Sequence, residues 1–196
     1  MDRPESATGG TLIVLDRDGV LNRLLENPAE PRPDSPMRPS EVEIFPWVPA
    51  VLGELTAAGF GLVIASNQPA AAKGKTTRAD LEAAHAEVLR AATAGGGVIL
   101  SSHLCFHRAE DGCACRKPAT GLLEEAFARH PGFTRARSWM VGDRAPDILA
   151  GTSFGLQTAY LGDVTCDDYA TLAARGLRPS FHGPDLRHFA EFLLGR

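Results

Sequence analysis

The chain has 196 residues, a length that suits one domain. Hydrophobic residues make up 44% of it and charged residues 22%, a mixture that excludes an intrinsically disordered chain and a small disulfide-bonded scaffold. The net charge of −4 argues against a nucleic-acid partner, and no run of 18 apolar residues is present to span a membrane.

The first ten residues have neither the charged start nor the apolar centre of a signal peptide. We therefore expect a disordered leader over residues 1–10, a cytoplasmic location, and a single domain over residues 1–196 that acts as a monomer. In the cytoplasm, clustered cysteines hold metals more often than they form disulfides.

Short apolar runs alternate with amphipathic segments along the chain. The runs predict buried strands at residues 11–15, 61–65, 98–101, 138–141 and 157–161. The periodic segments predict helices at 48–58, 77–93, 121–130, 148–153 and 186–194. This alternation is typical of an α/β, Rossmann-like parallel sheet sandwiched by helices, in which ligands bind at the carboxyl ends of the strands.

A proline-rich stretch at residues 27–39 contains five prolines in thirteen residues, so it cannot be a regular helix or a central strand. We interpret it as a surface loop that lies over the site. The intervals between the polar strand ends leave no room for a separate large cap domain, which predicts a fairly open site.

Two aspartates follow the first strand. Asp16 and Asp18 stand two residues apart, where a buried strand ends and the chain begins to turn. Carboxylates so placed can converge on one site, one as nucleophile and metal ligand and the other as general acid or base. The alternative is a solvated turn, because an aspartate followed by a glycine is common in turns.

Polar residues also follow two other strands. Ser66, Asn67 and Gln68 follow the second strand, where they can bind phosphate oxygens or else cap a helix. Asp143 follows the fourth strand, where it can ligate Mg²⁺ or cap the next helix. Lys117 precedes a proline and a helix, and an ammonium group at the same edge of the sheet would neutralise phosphate.

Four motifs, DRDGVLN, SNQ, RKP and VGDRAPD, occur in this order along the chain. In sequence and spacing they resemble the motifs of the haloacid dehalogenase (HAD) superfamily phosphatases, over about residues 11–165. The resemblance implies a phosphoric monoester hydrolase that uses Mg²⁺ and an aspartyl-phosphate intermediate.

The resemblance also implies a role for each motif residue. Asp16 is the nucleophile, and Asp18 protonates the leaving alcohol and then deprotonates the attacking water. Ser66 and Lys117 hold the transferred phosphoryl group, and Asp147 supports the metal site or Lys117. Mg²⁺ would be held by the Asp16 carboxylate, the Asp18 backbone carbonyl and the Asp143 carboxylate.

Three of the four cysteines fall within eleven residues, together with one histidine. The residues Cys105, His107, Cys113 and Cys115 form a C-x-H-x₅-C-x-C pattern that suits a tetrahedral structural Zn²⁺ in a loop over residues 105–115. Disulfides or free thiols are the alternatives, and Cys166 lies outside the pattern. Because Arg116 and Lys117 follow directly, we expect zinc to fix these two cations against the phosphate site.

Only three of the 20 basic residues are lysines, and the other two, Lys73 and Lys75, follow the SNQ motif. Their loop resembles a short basic loop of HAD phosphatases that act on D-glycero-D-manno-heptose 1,7-bisphosphate. We therefore expect substrate binding by Asn67, Gln68, Arg116, Lys73 and Lys75, although a solvated loop is the alternative for the two lysines.

Two other enzymatic functions and one non-enzymatic function stay open. The five-residue gap in the zinc pattern resembles the histidinol-phosphate phosphatase branch of the superfamily, and the proline-rich stretch matches neither branch closely. A polynucleotide 3′-phosphatase uses the same aspartate pair but fits poorly with the acidic charge. A non-catalytic zinc-binding module would bind a partner without turnover.

Overall fold

A six-stranded parallel sheet forms the centre of the protein in the computed structural model, which describes residues 9–27 and 33–196. The strands lie in the order β3-β2-β1-β4-β5-β6. Their bounds are β1 Leu12–Leu15, β2 Gly61–Asn67, β3 Ile99–Cys105, β4 Trp139–Gly142, β5 Gln157–Leu161 and β6 Phe181–Gly183. The α/β, Rossmann-like fold class predicted from the sequence is confirmed.

Helices pack on both faces of the sheet because alternate residues of each buried strand point to opposite faces. In β1, Ile13 and Leu15 belong to one hydrophobic cluster, and Leu12 and Val14 belong to another on the opposite face. The helices are α1 Val48–Ala57, α2 Arg78–Ala92, α3 Gly121–Arg129, α4 Ala145–Phe154, α5 Cys166–Ala173 and α6 Leu186–Leu194. Residues of α1, α2 and α6 join the first cluster, and residues of α3 and α4 join the second.

Helix α2 shows how the sequence sets these elements. Thr77 caps its first turn by accepting a hydrogen bond from the Asp80 backbone N–H at 3.1 Å, and the Asp80 carboxylate in turn accepts one from the Thr77 N–H. The buried face follows a helical spacing through Leu81, Ala84, His85, Val88 and Ala92. The only polar side chain on that face is His85, which lies close to the site described below.

Several boundaries differ from those predicted. Helix α4 begins at Ala145, three residues earlier than predicted, because Pro146 fits its first turn. Helix α5 and strand β6 were not predicted: α5 opens with a cysteine and two aspartates, and β6 has only three residues, none fully buried. Strand β3 continues to Cys105, whereas the predicted strand ended at residue 101. The polar residues at 101–103 interrupt the apolar run and concealed the rest of the strand.

The predicted leader and the proline-rich stretch fall partly outside the described residues, which exclude residues 1–8 and 28–32. Gly10, expected in the leader, instead pairs with the loop before β4, its N–H bonding to Gly132 at 3.0 Å. Within the described residues no helix is both long enough and apolar enough to cross a membrane.

The strand order places β1 between β2 and β4, so the chain winds outward from β1 in both directions. A crevice opens at the carboxyl ends of strands where the winding direction reverses, and ligands bind there in sheets of this kind. The backbone of Asp16, just beyond β1, still bonds to Val141 of β4 at 2.8 Å. The last residues of β1, β2 and β4 therefore lie side by side at one edge.

Candidate active site

A cavity of about 240 Å³ opens at this edge of the sheet. Five polar residues form its base, which we call the floor: Asp16, Ser66, Lys117, Asp143 and Asp147. Asp16 follows β1, Ser66 lies near the end of β2, Asp143 follows β4, Asp147 lies in the first turn of α4, and Lys117 lies in the loop between β3 and α3. The structure thus brings together residues that the sequence placed up to 131 positions apart, from 16 to 147.

Lys117 is the cation of the floor and is only 3% exposed. Its Nζ lies 2.6 Å from Asp147 Oδ1 and 3.1 Å from Asp16 Oδ1, and it donates to the Ala65 carbonyl at 2.7 Å. Burial on its own would lower the pKa of Lys117, but the two carboxylates outweigh it and raise that pKa above its usual value. The ammonium group therefore stays charged.

The three floor carboxylates form a group that a cation would satisfy. Single oxygens of Asp16, Asp143 and Asp147 lie within 4.8 Å of one another. Asp143 Oδ1 is buried without a hydrogen-bond partner in the described part of the chain, and burial together with the two neighbouring carboxylates raises the pKa of Asp143 well above its usual value. Hard oxygen donors with an unsatisfied buried oxygen fit a divalent cation such as Mg²⁺.

The loop after β1 closes tightly over this carboxylate group. Gly19 has a φ of +84°, and a Cβ there would collide with the Asp143 carboxylate. Only glycine combines this backbone conformation with so close an approach. The Asp18–Gly19 turn therefore packs directly against the Asp143 carboxylate of the floor.

Asn67 fixes the backbone of the floor lysine. Its Nδ2 donates to the Lys117 carbonyl at 3.0 Å, and its Oδ1 accepts from the Lys117 N–H at 3.1 Å. The sequence suggested that Asn67 binds substrate. It does line the cavity, but both ends of its amide are already bonded to Lys117.

Asp18 lies beside the floor in a cage of hydrogen bonds. Arg17 Nε and Nη2 donate to its two oxygens at 2.9 and 3.0 Å, Asn22 donates to Oδ1 at 3.0 Å, and Gln68 donates to Oδ2 at 2.6 Å. Burial would raise the pKa of Asp18, but the Arg17 charge and these bonds hold it below its usual value. Asp18 is therefore ionised, with both oxygens occupied.

Gln68 takes part in this cage through both ends of its amide. Its Nε2 donates to Asp18 and, at 3.0 Å, to Ser66 Oγ, and its Oε1 accepts from Arg17 at 2.8 Å. The residue is 1% exposed. The sequence predicts a contact with substrate for Gln68, which lines a neighbouring cavity, while its hydrogen bonds go to Asp18, Ser66 and Arg17.

The sequence reasoning missed two buried polar residues behind Asp18. Arg17 is fully buried, and its Nη1 has no hydrogen-bond partner among the described residues; the same is true of both ring nitrogens of His85. Burial and the nearby Arg17 charge lower the pKa of His85 to about 4. In the sequence, Arg17 is marked only by its position between two aspartates, and His85 only by its position on the apolar face of a helix.

The predicted zinc ligands converge at the end of β3. The three Sγ atoms are 3.1 to 3.7 Å apart, and His107 Nδ1 lies 3.3 Å from Cys115 Sγ and 3.6 Å from Cys105 Sγ. Four ligands around zinc at about 2.3 Å would be separated by roughly 3.8 Å, so this cluster fits a tetrahedral ion after a small expansion. No disulfide links these cysteines, and Cys166 lies elsewhere, exposed at the start of α5.

The cluster is joined to the cavity through Arg116, whose Nη1 donates to the His107 carbonyl at 3.2 Å. Arg116 lines the cavity next to Lys117. An ion bound to His107 would therefore restrain Arg116 through this bond, and the predicted effect of zinc on Lys117 stays a prediction.

A second, outer cavity of about 340 Å³ adjoins the first. Five charged residues line it, and four of them form what we call the mouth: Asp34, Lys73, Lys75 and Arg116. Asp34 belongs to the proline-rich stretch, whose described residues Pro33 and Ser35 line both cavities. Lys75 Nζ bonds both oxygens of Asp34, at 2.9 and 3.2 Å, so this lysine already has an anionic partner.

Arg144 is a further cation that the sequence reasoning did not select. It lines both the inner and the outer cavity. Its Nε donates to Asp168 Oδ2 at 3.0 Å. The available signal was its place directly after Asp143, at the same strand end.

Comparisons with known proteins agree with this arrangement. A family model described as HAD-hydrolase-like matches residues 114–187. A protein from Pseudomonas putida named D-glycero-beta-D-manno-heptose-1,7-bisphosphate 7-phosphatase is 34% identical over 151 residues, which cover 74% of this chain and 79% of that protein. A Legionella pneumophila protein named histidine biosynthesis bifunctional protein HisB is 32% identical over 145 residues, 74% of this chain but 39% of that protein.

Among solved structures, the D,D-heptose 1,7-bisphosphate phosphatase from B. bronchiseptica, complexed with magnesium and phosphate, superposes with a TM-score of 0.78. It is 33% identical, and the match covers 94% of this chain and 98% of that one. The buried carboxylates and lysine at the strand ends, together with this similarity in sequence and fold, show that the chain belongs to the HAD-like hydrolases, as one of their phosphatases.

Proposed function

We propose that the protein is a Mg²⁺-dependent phosphomonoesterase that removes the 7-phosphate of D-glycero-D-manno-heptose 1,7-bisphosphate through an aspartyl-phosphate intermediate. The observation that carries this proposal is the similarity, over most of the chain, to relatives named for that reaction. The charges in the two cavities support it residue by residue.

Asp16 is the proposed nucleophile. One carboxylate oxygen attacks phosphorus, and the bond between phosphorus and the ester oxygen of the sugar breaks. The ammonium group of Lys117 lies 3.1 Å from Asp16 Oδ1, where it orients this carboxylate and balances negative charge on the phosphoryl oxygens. Ser66 adds a hydroxyl donor at the end of β2.

Asp18 is the proposed general acid and base. It gives a proton to the departing sugar oxygen and later takes one from the water that hydrolyses the aspartyl-phosphate and releases phosphate. In the described conformation the bonds from Arg17, Asn22 and Gln68 occupy both of its oxygens. Asp18 is ionised in this conformation, so it must exchange at least one of these bonds for the substrate and take up a proton from solvent before it can act as the acid.

Two metal ions complete the proposal. Mg²⁺ would be held by Asp16, Asp143 and the backbone carbonyl of Asp18, with Asp147 supporting Lys117 beside it, and when bound it supplies positive charge to the phosphoryl oxygens. Zn²⁺ would be held by Cys105, His107, Cys113 and Cys115 in a purely structural site, since four protein ligands leave no position for a reacting water.

The mouth supports a substrate with a second phosphate. Arg116 and Lys73 line the outer cavity, next to the floor where the first phosphate reacts. Lys75 joins them only in competition with Asp34, which already bonds its ammonium group. A small phosphorylated sugar fits this arrangement better than a nucleic acid, because the chain as a whole carries a charge of −4.

Histidinol phosphate is the second candidate substrate, favoured by the similarity to the HisB protein. It has one phosphate and a cationic amine, so it would gain nothing from the cations of the mouth. We further propose that the protein acts as a monomer in the cytoplasm, in keeping with a small-metabolite substrate.

The test is phosphate release from three substrates: the heptose bisphosphate, histidinol phosphate and a 3′-phosphorylated oligonucleotide. We expect turnover of the bisphosphate above the other two, its loss when Mg²⁺ is omitted, and a decrease of about 10³-fold or more in Asp16→Asn. Glu82→Gln, an exposed helix carboxylate paired with Arg78, serves as the matched control. A preference for histidinol phosphate would replace the proposed substrate, and no release from any compound would refute the proposal.

A further inference from the structure

A buried pair in the C-terminal part of the chain holds Arg144 in place. Asp168 in α5 accepts hydrogen bonds from Arg144 Nε and from the Tyr160 hydroxyl of β5, both at 3.0 Å on the same Oδ2 oxygen. The Asp168 side chain is 5% exposed, and Tyr160 is fully buried.

Burial of the Asp168 carboxylate costs solvation, and the Arg144 charge and the tyrosine hydroxyl compensate for that loss. The bond from Arg144 Nε to Asp168 also restrains the Arg144 side chain, which is 35% exposed. Its two Nη atoms, which we call the fork, have no hydrogen-bond partner among residues 9–27 and 33–196. The fork is therefore available to an anion.

The place of this fork points to its use. Arg144 lies on the wall shared by the inner cavity, where the phosphoryl group would react, and the outer cavity, which Lys73 and Arg116 also line. The reacting phosphate already has the Lys117 ammonium group and the Ser66 hydroxyl. A cation on the shared wall is therefore best placed for the anionic group of the substrate that does not react.

Resting on the proposed function, we infer that Asp168 and Tyr160 are positioning residues that hold Arg144 for a substrate's second, non-reacting anionic group. The selectivity for a bis-anionic substrate then depends on α5 and β5, which carry none of the motif residues. Because the second anionic group does not react, its contact with Arg144 is equal in the ground state and the transition state, so loss of that contact should raise KM and leave kcat nearly unchanged.

The experiment measures kcat and KM for the heptose bisphosphate and for p-nitrophenyl phosphate, which has a single phosphate. We expect KM for the bisphosphate to rise about 30-fold in Arg144→Gln, about 10-fold in Asp168→Asn and about 3-fold in Tyr160→Phe, with kcat within twofold of the wild type. KM for p-nitrophenyl phosphate should not change. Tyr169→Phe, at the other tyrosine of the chain, which is 69% exposed, is the control.

A double-mutant cycle separates positioning from general structural support. If Asp168 acts through Arg144, adding Asp168→Asn to Arg144→Gln should raise KM no further. Additive effects, equal effects on both substrates, or a fall in kcat without a change in KM would overturn the inference. Tyr160→Phe removes one hydroxyl from the core, so it decides the question if Asp168→Asn does not fold.

A binding measurement keeps this inference separate from the proposed turnover. Calorimetry with fructose 1,6-bisphosphate as probe, on proteins that all carry Asp16→Asn, needs no catalysis. Weaker binding in the Asp168→Asn and Tyr160→Phe proteins supports the inference even if the heptose compound is not hydrolysed. Unchanged binding, or no binding of the probe by the starting protein, would overturn it.

Discussion

The floor and the mouth of the cavity each contain lysine, but they hold it differently. Lys117 in the floor is almost fully buried and contacts three oxygens, from Asp147, Asp16 and Ala65. Lys75 at the mouth is paired with the Asp34 carboxylate, and its side chain remains 29% exposed. A buried charge requires all its partners at once, whereas an exposed pair is worth little because water can replace either member. The floor should therefore tolerate almost no change, and the mouth a good deal.

The largest expected effect comes from replacing the floor lysine with methionine, and the same substitution at the mouth is the comparison. Lys117→Met should lower phosphate release about 10³-fold and, without Mg²⁺, lower the free energy of unfolding by about 3 kcal/mol, because two buried carboxylates lose their cation. Lys75→Met should change release less than about threefold and stability by less than about 0.5 kcal/mol. Steady-state kinetics with Mg²⁺ and urea titrations without added Mg²⁺ check both expectations. Similar losses in the two variants would end the distinction between floor and mouth.

The zinc loop connects the two regions, so its loss should affect both moderately. In Cys113→Ser we expect zinc content to fall from about one ion per chain to near zero and activity to fall about 10- to 100-fold, because His107 no longer fixes Arg116. Metal analysis and kinetics on the folded fraction measure this.

Cys166→Ser is the matched control, since that cysteine is exposed and distant from the cluster. It should keep both zinc and activity. A folded, zinc-free Cys113→Ser protein with full activity would refute the link between the metal loop and the cations.

Behind the floor, His85 allows a test of stability against pH. Burial keeps this ring neutral and lowers its pKa to about 4, against about 6.5 in an unfolded chain. The unfolded state therefore binds more protons between these values, so the contribution is fully present above pH 6.5 and is lost as the pH falls toward 4. Between pH 7.5 and pH 5 the wild type should lose about 2 kcal/mol more stability than His85→Leu.

Denaturant titrations at the two pH values give this difference, with His182→Gln as the control because His182 is exposed. At pH 7.5 the leucine variant should be at least as stable as the wild type, because both ring nitrogens of His85 lack partners in the described protein. An equal loss of stability in wild type and variant would show that the ring is not held neutral.

The smallest expected effect is at the mouth. Asp34→Asn removes the charge that competes for Lys75 but keeps an acceptor oxygen, so KM for a bisphosphate should fall about two- to threefold with kcat unchanged. Glu82→Gln, which breaks an exposed pair on α2, should leave KM unchanged. A rise in KM for Asp34→Asn would mean that the pair shapes the mouth rather than competing with substrate.

The sequence was informative where chemistry is local. Buried runs that stop abruptly at Asp16, Ser66 and Asp143 indicate strand ends, and the sheet then brings them to one edge. The four zinc ligands lie within eleven residues, so their spacing alone predicts the cluster.

Contacts between distant segments could not be predicted in this way. Lys75 meets Asp34 across 41 residues, and Asp168 meets Arg144 across 24, through an unpredicted helix. The burial of Arg17 was equally hidden, because a charged residue is assigned to solvent until the structure shows which partners compensate it. Pairings of this kind are set by tertiary packing and leave no periodic pattern.

The two hydrogen bonds of Asn67 limit which side chains position 67 can accept. Its amide donates to the carbonyl of Lys117 and accepts from the N–H of the same residue, as a neighbouring strand would, so it adds one backbone-like pairing between β2 and the loop that carries Lys117. Aspartate has the same shape but would set one lone pair against another, and a hydroxyl would be too short to bridge both atoms. The backbone of Lys117 is thus held by a side-chain amide that imitates a peptide group, and neither aspartate nor a hydroxyl residue at position 67 could make both hydrogen bonds.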